Sequence, residues 1–426
     1  MPRTGMSSVD SLPAPASRPT PVRRSEITSG GRPRRASGTG SVLGAILDHG
    51  PVARSTVARL TGLSPASVTG HCGQLLGRGL IRESEEVVGP RGLGRPHVPL
   101  EIDTARYLVA GAHIAVAHST LSLMDLRGRI VAEDRQPHRE TGAPEVLGDL
   151  AERLPRLIGA HAAGRTVLAL GVATGHRVDP AAGTIVEHPQ LGWRDVAVRE
   201  HLARATGLPV HVDNHSRALA RAEQMFGDVT TRSSAVLLFI GTVVDAAFAT
   251  GGTVHRGPRA GAGSVGHLPV WPGRGAGAQE PCVCGRPGCL HAEVSEPAMV
   301  RRAAEQGLLV PTFGHLLDLA LAGEPRAAGI FAHRAALVGR GAALLLDIFD
   351  PDVLVVVEPG VARIPECLAV LRAEVARHSL VCDDPQRAVV PGSFTGSVLA
   401  TAGGAVALGA LYADPLGSWP APRAVP

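Results

Sequence analysis

The stretch from Gly261 to Ser295 constrains this chain more than any other. Three of its six cysteines, Cys282, Cys284 and Cys289, fall within eight residues there, and His267 stands fifteen positions before the first of them. Glycines beside the thiols let the backbone curl them inward. A Cys-x-Cys pair is strained as a disulfide, and the sequence shows no charged-then-apolar leader for export, so local disulfides or inert thiols fit less well than a ligand set. Three thiolates and an imidazole make a closed tetrahedral complement suited to one structural zinc ion, Zn2+, per chain, with no position left for water. The loop they tie is expected to hold a fixed shape in whatever fold surrounds it.

At 426 residues the chain predicts two to four domains. Its apolar fraction is 44% but its aromatics only 3%, so the core must be built from Ala, Val and Leu on helices and buried strands. All 42 basic residues are arginine, so any phosphate contact would be made by guanidinium groups. Met1 to Gly40 carries seven of them against only Asp10 and Glu26, in a Pro-, Ser- and Gly-rich composition that cannot bury enough surface to offset chain entropy. Residues 1–37 are therefore expected to be a disordered basic arm, one that trails along DNA or is simply solvated. No run of 18 apolar residues suggests a membrane helix, and a cytoplasmic location is expected.

Order is expected from about residue 38. Val42, Leu43, Ile46 and Leu47 share one helical face, Val57, Ala58 and Leu60 a second, and Val68, Cys72, Leu75 and Leu76 a third. Between the last two helices, Thr61-Gly62-Leu63-Ser64 supplies a tight turn, an apolar plug and an N-cap, and Pro65 suits the first helical position. This is the signature of a helix-turn-helix whose third helix, Pro65 to Gly77, is roughly 20 Å long. Leu80-Ile81 and Val98-Leu100-Ile102 flank a Gly/Pro-rich loop and predict a β-hairpin wing. The expected DNA-facing residues are Arg54 and Ser55 at the second helix, Ser64, Ala66, Ser67, Thr69, Gly70, His71 and Gln74 at the third, and Arg91 and Arg95 at the hairpin tip.

From Tyr107 onward, hairpin, amphipathic helix and buried strand follow one another and then recur from Ser233, an order that argues for a two-lobed α/β body. Gly261-Ala262-Gly263-Ser264-Val265-Gly266-His267, followed by Cys282-Val283-Cys284-Gly285-Arg286-Pro287-Gly288-Cys289-Leu290, resembles the zinc motif of the ROK family of bacterial repressors and sugar kinases. The similarity runs from about Tyr107 to the C-terminus, and Gly94-Arg95-Pro96 is similar to the end of the wing in ROK repressors. The fold class that follows is α/β, with an N-terminal winged helix-turn-helix at 38–103 ahead of a two-lobed actin-like ATPase (ROK) fold at 104–426. The lobes would divide near 226/227, and the final helix would return to the first.

The resemblance also identifies what is missing. ROK sugar kinases carry Asp-x-Gly-Gly-Thr in one phosphate hairpin and Gly-Thr-Gly-Ile-Gly in another, where this chain has Gly111-Ala112-His113-Ile114-Ala115-Val116 and Gly241-Thr242-Val243-Val244-Asp245. His215 stands where the family has its aspartate base. By the resemblance, Asn214 matches a sugar contact and His267 would both bind zinc and edge the sugar site, but Ser264 and His291 stand where the family has two glutamates that accept sugar hydroxyls. Asn214, His215, Ser264, His267 and His291 are thus the candidate effector residues, for a ligand other than the usual hexose or for a degenerate pocket. The implied protein is a DNA-binding regulator, a repressor of carbohydrate-related genes with an inactive kinase-like sensor, acting as a homodimer or higher oligomer on a double-stranded operator with a sugar or sugar-derivative effector. A sugar kinase with an N-terminal extension and a ligand-independent DNA-binding protein are the alternatives.

Overall fold

A computed structural model of the chain describes residues 37–84, 98–227, 234–270, 282 and 284–420. Three helices come first: α1 (Gly38–His49), α2 (Arg54–Thr61) and α3 (Pro65–Gly77). Gly62 at φ +70° closes α2, and Ser64 caps α3 by accepting from the Ser67 amide at 3.2 Å. Val42, Leu43, Ile46, Val57, Val68, Cys72 and Leu75 are buried between them. Leu60, expected on the inner face of α2, is 40% exposed, because only Val57 and Ala58 of that short helix turn inward. The wing base follows as β1 (Ile81–Glu83) paired antiparallel with β2 (Leu100–Ile102).

The first lobe holds β3 (Tyr107–Ile114), β4 (His118–Asp125), β5 (Ile130–Pro137), α4 (Ala143–His161), β6 (Thr166–Thr174), β7 (Arg177–Asp179), β8 (Thr184–His188), β9 (Trp193–Val196), α5 (Val198–Thr206), β10 (Val210–Asn214) and α6 (His215–Phe226). Its main sheet runs β10-β6-β3-β4-β5. All eight residues of β3 are buried, since small and aliphatic side chains let it be covered on both faces. Glu133, Asp134, Arg135 and Gln136 occupy the edge strand β5, and such polar groups discourage edge pairing with other chains.

The second lobe repeats the plan with β11 (Ser234–Ile240), β12 (Val244–Thr250), β13 (Thr253–Val254), α7 (Leu290–Val294), α8 (Glu296–Glu305), α9 (Phe313–Leu321), α10 (Pro325–Phe349), β14 (Val353–Val357), α11 (Pro359–Arg363), α12 (Pro365–His378), α13 (Pro385–Ala388) and β15 (Val389–Pro391). Its sheet order β13-β12-β11-β14-β15 is the order of the first sheet, with an antiparallel hairpin followed by two parallel strands. Helix α10 is apolar and long enough to cross a membrane, but Ile330, Phe331, Leu337, Val338, Leu345 and Leu346 are buried in this lobe's core.

The last helix, α14 (Val398–Ala413), returns to the first lobe. Its glycines lie backbone to backbone with that sheet: a Cβ on Gly403 would stand 2.6 Å from the Ala112 amide nitrogen, and one on Gly111 2.4 Å from that of Gly404. The far end of α14 enters a single apolar cluster in which Leu408, Leu411 and Tyr412 join Val42, Leu43, Ile46 and Leu75 with Tyr107, Val109 and Met124. Burying each such aliphatic side chain contributes about 1.5–3 kcal/mol, so the helical head and the first lobe share a substantial part of their stability.

Candidate functional site

Three regions carry chemistry: the outer face of α3, the cysteine knot, and the cleft between the lobes. On α3, Ser64, Ala66, Ser67, Thr69, Gly70 and Gln74 are exposed, as is Ser55 on α2. The face is small, polar and uncharged. Arg54 is half-buried and paired with Glu83 at 3.2 Å, which leaves it beside the wing base. His71, three residues after buried Val68 and one before buried Cys72, is half-buried, and its Nδ1 lies 2.9 Å from the Thr39 hydroxyl of α1. Arg91 and Arg95 lie outside the described residues.

At the knot, the backbone after Gly266 runs beside the segment from Gly288 to His291. Val270 donates to Gly288 at 3.2 Å, Leu290 to Leu268 at 2.8 Å and His291 to Gly266 at 2.7 Å. These bonds bring His267, Cys282, Cys284 and Cys289 together, with all four ligand atoms within 4.8 Å of one another. Cys282 Sγ is 3.3 Å from His267 Nδ1, and Cys284 Sγ is 3.6 Å from Cys289 Sγ. Tetrahedral zinc would need about 3.5 Å and about 3.8 Å for such pairs, so the donor set fits a closed site. Backbone and side-chain hydrogen bonds from Arg286 hold the Cys284 thiol down at about 6, whereas burial, with Cys284 beside it, pushes the Cys289 thiol up to about 12, so a metal there would have to displace the Cys289 proton.

The interlobe cleft is built on a buried carboxylate. Asp245, on β12 of the second lobe, accepts from the His176 amide at 2.8 Å and from Asn214 Nδ2 at 3.0 Å, with His215 Nε2 at 3.5 Å. Burial alone would raise its pKa, but these donors together hold it at about 2. Asn214 is fully engaged: its Oδ1 caps α6 by accepting from Ser216 and Arg217, and its Nδ2 also donates to the His176 carbonyl at 2.8 Å. The candidate sugar contact is therefore a tie between lobes. Nearby, Arg217 is buried and bonds Asp213 at 2.6 Å, the Val178 carbonyl at 2.9 Å and the Ala260 carbonyl at 3.2 Å.

Around this tie the polar groups are mostly imidazoles. His113 Nε2 faces His215 Nδ1 at 3.3 Å, and the His176 and His188 rings meet edge-on at 4.8 Å. Burial pushes His113 well below the ordinary range and His188 down to about 3, each helped by neighbouring histidines, so both are neutral at physiological pH. His291 is also held low by burial, with His176 and His267 close enough to add to the effect. Ser264 is exposed, and its hydroxyl donates to Gly261 at 3.1 Å.

The segments matching the two phosphate loops face one another across the cleft but carry no cradle. Val243, 5% exposed, packs onto Gly175, where an added Cβ would meet it at 3.0 Å. An isopropyl group thus stands in the second loop, and an ionised carboxylate lies behind it. The sequence reading missed Asp245, His176, His188 and His113 as site residues. Asp245 and His113 were visible only as parts of the two lost glycine loops, and His176, after β6, and His188, on β8, reach the cleft by a convergence that no local spacing records.

The sequence model of the ROK family matches residues 109–411. A curated transcriptional regulator of Mycobacterium tuberculosis is 32% identical over 398 residues, covering 90% of this chain and 87% of that protein. The N-acetylglucosamine repressor of Escherichia coli O157:H7 is 26% identical over 318 residues, 72% of this chain and 77% of its own length. Among solved structures, a ROK family transcriptional regulator homologous to the E. coli MLC protein aligns with a TM-score of 0.72 at 23% identity, over 88% of this chain and 96% of that one. A ROK glucokinase from Streptomyces griseus, in complex with glucose and AMPPNP, aligns at 0.60 and 23% identity, over 70% of this chain and 98% of its own. The glucokinase alignment thus leaves about a third of this chain uncovered, whereas the regulator's covers most of it.

Proposed function

We propose, from the premise that this chain belongs to the ROK family, that it is a cytoplasmic, sequence-specific DNA-binding regulator, a repressor of carbohydrate-related genes whose kinase-like body does no phosphoryl transfer. The observation that carries this reading is the exposed, uncharged face of α3, held at a fixed angle by a core shared with the body. Small polar residues at the N-terminal part of such a helix allow close entry into a major groove, with Ser67 and Gln74 in reach of base edges. Catalytic silence rests on Val243, His215 and the ionised Asp245, since phosphoryl transfer depends on positioning and stabilising phosphate charge.

The effector is a sugar or sugar derivative bound on the Asp245 side of the cleft, near Asn214, His215, Ser264, His267 and His291. Repressors named for N-acetylglucosamine and for xylose are among the relatives, the latter from Caldicellulosiruptor. A structural zinc on His267, Cys282, Cys284 and Cys289 fixes that edge of the pocket. The regulator works as a homodimer, because one recognition helix reads only a few base pairs. A self-association surface is available where Leu344, Ile348, Leu380 and Val381 are exposed around Asp347, which accepts from the Leu380 and Val381 amides.

The test is selection of genomic duplex fragments by the full chain, followed by sequencing. Enrichment of a two-fold motif, changed in sequence by Ser67→Ala or Gln74→Ala and unchanged by His71→Gln, is the expected result. Binding with no sequence preference would sink the assignment.

A further inference from the structure

The segments that would hold nucleotide phosphates in a kinase enclose a cavity of about 270 Å³ between the lobes. Its walls come from the β3–β4 hairpin, α6, the turn after β11, the β14–α11 junction and the start of α14. Ile114, Val116, Phe239, Val243, Val357 and Leu399 make it largely apolar. The three acids that line it already have partners. Glu223 accepts from Ser393 at 2.7 Å, Glu296 from Thr242 at 2.8 Å, and Glu358 pairs with Arg334 and caps α11.

Several ring nitrogens of the histidines on its lining do not, among them His113 Nδ1, His118 Nε2 and His188 Nδ1. His113 is 3% exposed and His188 1% exposed, and the Nδ1 of each has no hydrogen-bond partner among the described residues. Leaving a buried polar atom unsatisfied costs about 1–3 kcal/mol, a cost that a bound molecule with a complementary group would remove. Neutral imidazoles hold no phosphate, and Arg135 and Arg363, the cations on the lining, are exposed.

We propose that this cavity, which meets the Asp245 side of the cleft at His215, is a second ligand site, and that it takes an uncharged, mostly apolar small molecule with a group that hydrogen-bonds His113 or His188. Apolar cavities of about 150 Å³ already take benzene-sized molecules, so the volume suffices. Occupancy has a route to the DNA-binding head. Val398 and Leu399, in the first turn of α14, line the cavity, and Leu408, Leu411 and Tyr412 at its other end lie in the core of the head. A molecule that favours one position of α14 would therefore change the presentation of α3.

The test titrates the zinc-loaded full chain with N-phenyl-1-naphthylamine, an uncharged apolar fluorophore. The expected result is saturable binding at about one site per chain, weakened by about tenfold or more in Ala362→Trp and Val116→Trp, which fill the cavity from opposite walls, with no displacement by Mg-ATP. Melting curves confirm that each variant is folded, and either variant alone suffices. Non-saturable binding, binding that both folded variants retain, or competition by Mg-ATP would overturn the proposal. Competition by Mg-ATP would also count against catalytic silence, whereas the other two outcomes would leave that reading standing.

Discussion

The cysteine knot and the interlobe cleft are built in opposite ways. The knot takes three of its four donors from one turn, Cys282 to Cys289, and the fourth from a segment paired beside it. The cleft takes its polar groups from β3, β8, α6, β12 and the segment after β6, and its key carboxylate is 31 residues from the asparagine it bonds. A local site either keeps all its donors or fails as a unit. A dispersed one can be rewritten residue by residue, and here Val243, Asp245 and imidazoles occupy the segments that resemble the phosphate loops of ROK sugar kinases.

The sharpest break in that comparison is expected at the knot. Cys289→Ala or Cys284→Ala should reduce zinc from about one ion per chain to none and lower the melting temperature by several degrees, because metal binding is folding free energy. Elemental analysis and calorimetry read both, and an absence of zinc in protein purified without chelator would remove the knot from the account. The cleft should tolerate change in the opposite sense: His215→Asp should stay folded and gain no kinase activity, since a base without a positioned phosphate does little. A coupled assay over hexoses and amino sugars, with Mg-ATP titration, checks this, and turnover above background would reverse it.

A smaller effect is expected where α14 meets the first lobe. Gly403→Val should cost roughly 1–3 kcal/mol or more, because its Cβ meets the Ala112 backbone rather than a movable side chain, whereas Gly44→Ala, with open space around it, should not destabilise. Urea unfolding distinguishes them. The smallest effect concerns protons. His188, packed with His176 and His215 and near Asp245, is held at about 3 by burial first, and His118 at about 4 by burial and then Arg135. Their folded values lie below the unfolded one, so the stability they contribute is complete above about pH 6.5 and is lost as pH falls from that value to about 4 for His118 and about 3 for His188. His188→Phe should flatten this decline in melting temperature, and an unchanged slope would show that other groups set it.

The parts of the molecule legible in its sequence are those whose physics is local. Gly62 and Ser64-Pro65 announced the turn and start of α3 because a positive φ and an N-cap are properties of a few adjacent residues. The knot was legible for the same reason. The contact of His71 with Thr39 was not legible because a helix has an intermediate flank, and how far that flank is covered depends on where α1 lies. Asn214 matched a sugar contact in type, but its hydrogen-bonding capacity is taken up by partners from His176, Asp245 and the start of α6. The nearly all-apolar sequence of α14 implied burial, but not that one helix would be shared by the cleft, the first sheet and the head.

For a DNA-binding regulator of the kind proposed, that sharing bears on the geometry of the operator. Only residues 103–106 separate β2 from β3, and they form a braced corner rather than a tether: Asp103 donates its amide to Leu80 at 3.1 Å, accepts from the Ala105 amide at 2.8 Å and pairs with Arg106 at 3.1 Å. Tyr107 then donates its hydroxyl to the Arg78 carbonyl at 2.8 Å. A reading head mounted in this way has no swivel. In a dimer of such chains, the separation of the two half-sites would be a dimension of the bodies, as the gap of a caliper is set by its frame, and an operator with one base pair inserted between its halves would have to twist to fit.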